Sequence, residues 1–289
     1  MIKYELVRDD SIVIVRENGG NSRISVMNGT KCKLYRIKAL VDIPEHGVVA
    51  GDLGGYIESE INLHHTGSAW VGGLAFVSGN AVVRANAHVY GHSRVFGNAQ
   101  IGGNAKVYDN ASISWNAQVF GNAEVFGDTQ ITGNVYVYDN AKVYDDANIG
   151  SHAKIYGDAK VFGNANVSAY ATVYGTAKVR DHAKVSGNAM VYGNSDICEN
   201  GVVRDSDDIC GYAKIRTSND VIAVNRLCPD NTSVTFYAGS RKQIRVNCKD
   251  YVGTTVGFTK FVEKKYGTTP QCTMYMMAIS IAEEKIKFE

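Results

Sequence analysis

The chain has 289 residues, a formal net charge of +1, 30 Gly, 3 Pro and 6 Cys. A charge so close to zero supplies no bulk attraction to nucleic acid or to a membrane surface. The cysteines show no CxxC spacing and are too sparse for a disulfide scaffold, so they read as reduced thiols of a cytoplasmic protein. No apolar run reaches the length of a membrane span, and the first residues lack the charged-apolar-small order of a signal peptide.

Residues 1–62 read as an N-terminal β capping segment. Alternation around Tyr4–Leu6 and Ile12–Val15, then Lys31 to Leu40, predicts strands. The stretch GDLGGYIES, Gly51 to Ser59, leads into the next segment, and its glycines read as turn residues rather than a phosphate loop. A small binding domain is the other reading of this segment.

Residues 63–216 read as the repeat domain, and from Ala69 to Arg216 one six-residue unit recurs without insertion or deletion. From Val71 to Ile215 every sixth residue is Val or Ile, with a small residue, usually Ala, two places earlier and a Gly-Asn, Asp-Asn or Gly-Asp pair before that. A six-residue period makes an apolar residue wander around a helix, whereas Val, Ile, Tyr and Phe favour strands and Gly-Asn favours turns. Each hexad is therefore a short strand plus a corner, and three hexads close a triangular coil of about 18 residues, giving about eight coils. The aliphatic residue and the small residue both point inward, and Asn and Gly at the corner accept positive φ.

Residues 217–289 read as a ββ(β)αα unit. Strands are predicted at Val221–Leu227, Ser233–Ala238 and Gln243–Cys248. Thr254 or Thr255 would cap a helix bearing Phe258, Phe261 and Val262 on one face, and Gly267 would stop it. A last helix aligns Met274, Met277, Ala278, Ile281 and Ala282 as one stripe, read as core.

The hexad resembles the repeat of left-handed parallel β-helices, and the left hand follows from that resemblance alone. GDLGGYIES followed by such repeats, together with VTFYAGSRKQIRVNCKDYVGTTVGFTKFVEKKYG near the end, resembles YdcK-type hexapeptide-repeat proteins, many of them carried by phages and prophages. The resemblance implies an all-β solenoid and no catalytic residues to carry over.

The best-known enzymes of the left-handed β-helix fold are acyltransferases with a His general base and acyl-CoA or acyl-carrier substrates, and many carry a loop interrupting the hexads. Here the register never breaks, and His88, His92, His152 and His182 read as solvent-exposed residues with no orienting carboxylate. His88 and His92 are the only close pair in the repeat, and His64–His65 precedes it, so no three-His zinc site is expected. No catalytic residue, metal or cofactor is predicted.

Read by column, one face carries Tyr90, Tyr108, Phe126, Tyr144 and Phe162, and another carries Phe120, Tyr138, Tyr156, Tyr174 and Tyr192. The remaining face, after Phe96 at its start, is small and smooth, with Ser114, Thr132, Gly150, Ser168 and Ser186. No face has the Thr row of an ice-binding rod. Beside the first aromatic column run His88, Lys106, Glu124, Lys142, Lys160 and Lys178, and Asp109, Asp145 and Asp181 stand three residues after a lysine. Lysines next to rings suit phosphates and bases, but these carboxylates neutralise the strip, which argues against nucleic acid. Stacking between coils and protein contact are the two other readings of the columns. The leading expectation is a non-enzymatic scaffold that binds a host protein, such as a defence component. An acyl-CoA transferase and a self-assembling structural protein are the alternatives, and a homodimer or homotrimer is left open.

Overall fold

The structure, a computed structural model, describes residues 2–16, 30–227 and 233–288. It is a β-solenoid of about nine turns with a small C-terminal sheet and helices. The chain divides into two compact units, Met1–Gly157 and Asp158–Glu289.

In both units each hexad gives a two-residue strand that pairs in parallel with the strand 18 residues on. In the first unit His88, Lys106, Glu124 and Lys142 follow one another in register. In the second, Lys160, Lys178, Asp196 and Lys214 do the same. The inward slots hold Ala and Val or Ile with no exposed surface, such as Ala105, Val107, Ala177 and Val179. Ala is needed because the interior narrows at a corner, and the β-branched residue fills the middle of the face.

The corners divide their labour differently from the sequence expectation. Positive φ falls on the first residue of the turn pair: Gly97 (72°), Gly121 (69°), Asp109 (55°), Asp139 (58°). The Asn that follows serves through its side chain. Asn80, Asn98, Asn116 and Asn134 form a ladder with amide bonds of 3.0, 2.9 and 2.8 Å, and Asn86, Asn104, Asn122 and Asn140 form another at 3.1, 2.9 and 3.0 Å. A Gly at the first position leaves room for the next coil: a Cβ on Gly187 would lie 2.5 Å from the Asp205 backbone nitrogen.

In the first unit, strand β1 (Tyr4–Arg16) pairs antiparallel with β2 (Thr30–Ala39), with a bulge between Val7 and Ser11. Strand β2 pairs antiparallel with β3 (Leu53–Ile57), which runs parallel to the first rung of its face at Phe76–Val77. Gly51 of GDLGGYIES lies in a turn as expected, with φ 100°, whereas Gly54 and Gly55 lie in β3. Their role is close approach: a Cβ on Gly54 would sit 2.5 Å from the Val71 carbonyl oxygen, and one on Gly55 2.4 Å from that of Ala75.

In the parallel coils the outward residues' N–H groups point to carbonyls of the following coil, as in Asn104 to Gly121 and Lys106 to Ala123, while the inward Ala105 N–H bonds within its own coil to Gly102. The start of the solenoid thus presents carbonyls that lack donors. Two buried side chains supply them. Asn62 Nδ2 donates to the carbonyls of Gly79 (2.9 Å) and Ala81 (2.8 Å). Lys3 Nζ donates to those of Ala69 (2.6 Å) and Gly67 (3.3 Å).

In the second unit the last coil presents N–H groups, and side-chain acceptors meet them. Asp207 Oδ2 accepts from Arg204 N (2.8 Å), Thr235 Oγ1 from Asp208 N (3.3 Å) and Asp220 Oδ2 from Arg216 N (2.6 Å). Asp207 occupies a slot that Ala holds elsewhere, and burial pushes its carboxyl up to about 6. Beyond lies an antiparallel sheet in the order β4 (Val221–Val224), β5 (Val234–Gly239), β6 (Gln243–Cys248), β7 (Tyr251–Thr254). The strand β7 was not foreseen.

Helix α1 (Thr255–Tyr266) is capped by Thr254, whose Oγ1 accepts from Gly257 N, and buries Phe258 and Val262. Helix α2 (Pro270–Lys285) corrects the expected stripe. It buries Cys272, Tyr275, Ala278, Ile279 and Ala282, while Met274, Met277 and Ile281 are 44%, 61% and 50% exposed. Tyr275 sets the rotation by packing edge-on against Phe258 (5.6 Å) and on Tyr266 (5.2 Å). Both sides of α2 are apolar, so periodicity alone could not choose between them. Cys198, Cys210 and Cys272 are buried thiols, and Cys228 lies outside the described residues.

Candidate functional site: the aromatic ladders

In a parallel coil the residue after the inward Val faces outward, and its equivalents stack at the strand spacing. Tyr90, Tyr108, Phe126 and Tyr144 do this in the first unit. Their ring centroids lie 5.0, 4.8 and 4.9 Å apart, with planes within 8°, 4° and 3°. The stack continues toward the N-terminal segment. His88 lies 4.3 Å from Tyr90, and His46, from the short 3-10 turn Pro44–His46, lies 4.2 Å from His88.

The second column is less regular than expected. Tyr138 and Tyr156 stack at 4.8 Å in the first unit, and Tyr174 and Tyr192 at 4.8 Å in the second. Phe120 leaves the column. It leans over Gly102, where a Cβ would meet the ring at 2.7 Å, and lies under the Arg84 guanidinium, 5.4 Å from its centroid. A Gly in the preceding coil leaves the ring a space that the cation then covers.

Phe162 is half-buried in the second unit. The next outward place in its column belongs to Arg180, which pairs with Asp196 (2.9 Å) and Asp181 (2.8 Å). Lys142 pairs with Glu124 at 2.9 Å, and Lys160 and Lys178 are exposed.

Rings stacked in this way cover each other's faces. The surface they present consists of ring edges and hydroxyls. Burial pushes the phenols up, Tyr108 to about 12, so they remain neutral donors at ordinary pH. Desolvation likewise raises Tyr90 and Tyr144, and nearby Asp109 and Asp145 add to it. Stacking of bases on free ring faces has no place in the interior of such a column.

The histidines fall into two groups. His92, His152 and His182 are exposed at corners, and His152 meets Asn134 at 2.9 Å, standing in for the next Asn. His88 is not exposed as expected. Its two faces are covered by His46 and Tyr90, and burial pushes it down to about 3. His46 is lowered by the same cause. Sequence reasoning missed this pair because His46 lies outside the repeat.

Lys3, only 4% exposed, is another residue that the sequence did not single out, and burial pushes its ammonium down to about 8. It borders a cavity of about 380 Å³, also lined by Asp42, Glu45, His65, Ser68 and Asn86. Among the described residues no cluster of three or more His, Cys, Asp or Glu side chains could hold a metal. No described helix is long and apolar enough to cross a membrane.

These features define a β-solenoid repeat protein whose outward residues form columns. Residues 183–199 match the family model described as YdcK β-solenoid repeat. With about nine such turns, the fold is consistent with a YdcK-like repeat protein. No curated protein matches the chain.

Proposed function

We propose that the protein is a non-enzymatic scaffold that binds another protein through its aromatic columns. The observation that carries this reading is the half-exposed Tyr90–Tyr108–Phe126–Tyr144 stack, fixed by the strand spacing and bordered by charge on the neighbouring column. A surface of rigid ring edges and neutral hydroxyls suits protein contact, where tyrosines add area at low entropic cost. The unbroken register, seen in the constant pairing from His88 to Lys142, leaves no inserted loop there to cover a substrate. The resemblance to phage and prophage proteins supports a host protein in the cytoplasm as the partner.

The test is affinity capture from a bacterial lysate with the wild-type chain and with Tyr108→Ser/Tyr144→Ser. A saturable protein partner, lost or weakened at least about tenfold in the variant, is the expected result. No partner, or equal capture by both chains with circular dichroism unchanged, would overturn it. Saturable binding of acetyl-CoA in calorimetry would favour an acyltransferase instead, and filaments in electron microscopy a self-assembling protein.

A further inference from the structure

We infer that Tyr90/Tyr108, Tyr138/Tyr156 and Tyr174/Tyr192 are modification sites at which one-electron oxidation joins neighbouring coils through dityrosine. In each pair the phenol rings are stacked and nearly parallel, with centroids 5.0, 4.8 and 4.8 Å apart and planes within 8°, 5° and 8°. All six rings are half-buried and held by rungs in fixed register, as in His88 with Lys106, Tyr136 with Lys154 and Thr172 with Met190. The reacting rings are therefore positioned before any radical forms, and coupling is intramolecular.

The chemistry balances as follows. Each phenol gives one electron and one proton to the oxidant and becomes a phenoxyl radical. The two radicals join through ring carbons ortho to oxygen, forming one C–C bond. The two hydrogens displaced from those carbons return to the phenol oxygens as the rings regain aromaticity. Two electrons and two protons leave in total, and one persulfate ion accepts both electrons as it is reduced to two sulfates.

Neighbouring residues confine the coupling. In the first column Tyr108 is followed by Phe126, which has no phenol, so Tyr90 is its coupling partner within that stack. Tyr170 and Tyr212, 60% and 67% exposed, are the places where coupling between molecules would start. A bond at any pair closes an 18-residue loop and fastens one coil to the next. The inference is independent of any binding partner.

The experiment exposes the full chain at micromolar concentration to light-activated tris(bipyridyl)ruthenium with persulfate, followed by digestion and mass spectrometry. The expected result is peptides linked between the members of the three pairs with loss of two hydrogens per link, at a yield unchanged by dilution. Tyr108→Phe, which keeps the ring, removes the Tyr90 link and spares the other two. In denaturing urea the yield at all three pairs falls several-fold. Absence of all three links, a yield that scales with protein concentration, or equal yield in urea would overturn the inference.

Discussion

Asn62 holds the first coil closed, and its replacement by Ala tests whether the ends of this solenoid depend on side-chain donors. The side chain has no exposed surface. It makes three hydrogen bonds, to the Gly79 and Ala81 carbonyls at 2.9 and 2.8 Å and from Ser59 N at 2.9 Å. At roughly 1 kcal/mol each their loss costs about 3 kcal/mol, rising to about 5 kcal/mol if the abandoned groups stay dry. Urea unfolding followed by circular dichroism reads the global part of that loss. Hydrogen exchange reads where it falls, because coils in a solenoid feel mainly their neighbours. Amides from Glu58 to Val83 should lose protection, while those from Gln118 to Val137 should not. An unchanged urea midpoint together with unchanged exchange near Asn62 would refute the reasoning, since water would then satisfy those carbonyls equally well.

Gly187→Ala should destabilise by more than about 2 kcal/mol, because a Cβ there meets the Asp205 backbone at 2.5 Å and φ is +70°. Ala85→Gly, at φ +58°, should instead be neutral or stabilising by up to about 1 kcal/mol; thermal unfolding compares the two, and equal effects would discredit the corner assignment. Phe126→Ala removes a half-exposed ring stacked on both sides and should cost about 2 kcal/mol, whereas Phe120→Ala, outside the ladder, should cost less in the same urea titration. His88 must be neutral when folded. Its pKa is depressed to about 3 from 6.5, so the unfolded chain binds the extra proton between those values, and stability falls as pH drops below 6.5. At pH 4.5 the wild type should lose on the order of 2 kcal/mol more, relative to pH 7, than His88→Phe; equal losses in the two chains would contradict the buried stack.

The solenoid was legible because every hexad states the same local rule. Val71 to Ile215 fix the inward face, and the small residue two places earlier fixes the corner. The caps were not legible, because they are made by single contacts between distant residues. Lys3 reaches Ala69 and Thr235 reaches Asp208, and neither belongs to a pattern. Only the polarity was knowable in advance. The outward residues' N–H groups run to the following coil, so the first coil leaves carbonyls and the last coil N–H groups to be met, by donors such as Lys3 and Asn62 at the start and acceptors such as Asp207 and Asp220 at the finish. The ladders were legible as columns but not as stacks. Whether a ring joins its neighbour depends on what stands one coil back: Gly102 lets Phe120 lean away, while Tyr108, with Tyr90 behind it and Phe126 ahead, has no such gap.

That difference bears on what the protein can recognise. A ring with a free face takes a base, a sugar or a cation, as Phe120 takes Arg84. A ring inside a stack has spent both faces on its neighbours, and its remaining surface is an edge carrying hydrogens and, for tyrosine, a hydroxyl. The end of the first column at Tyr90 is closed as well, by His88 and then His46. On the proposed reading, the column would disfavour ligands that recognise aromatic planes and favour surfaces that meet a line of edges and hydroxyls at a repeat close to 4.8 Å. Backbone carbonyls of another protein meet that requirement, since they accept from neutral phenols and pack against ring edges without needing a free face.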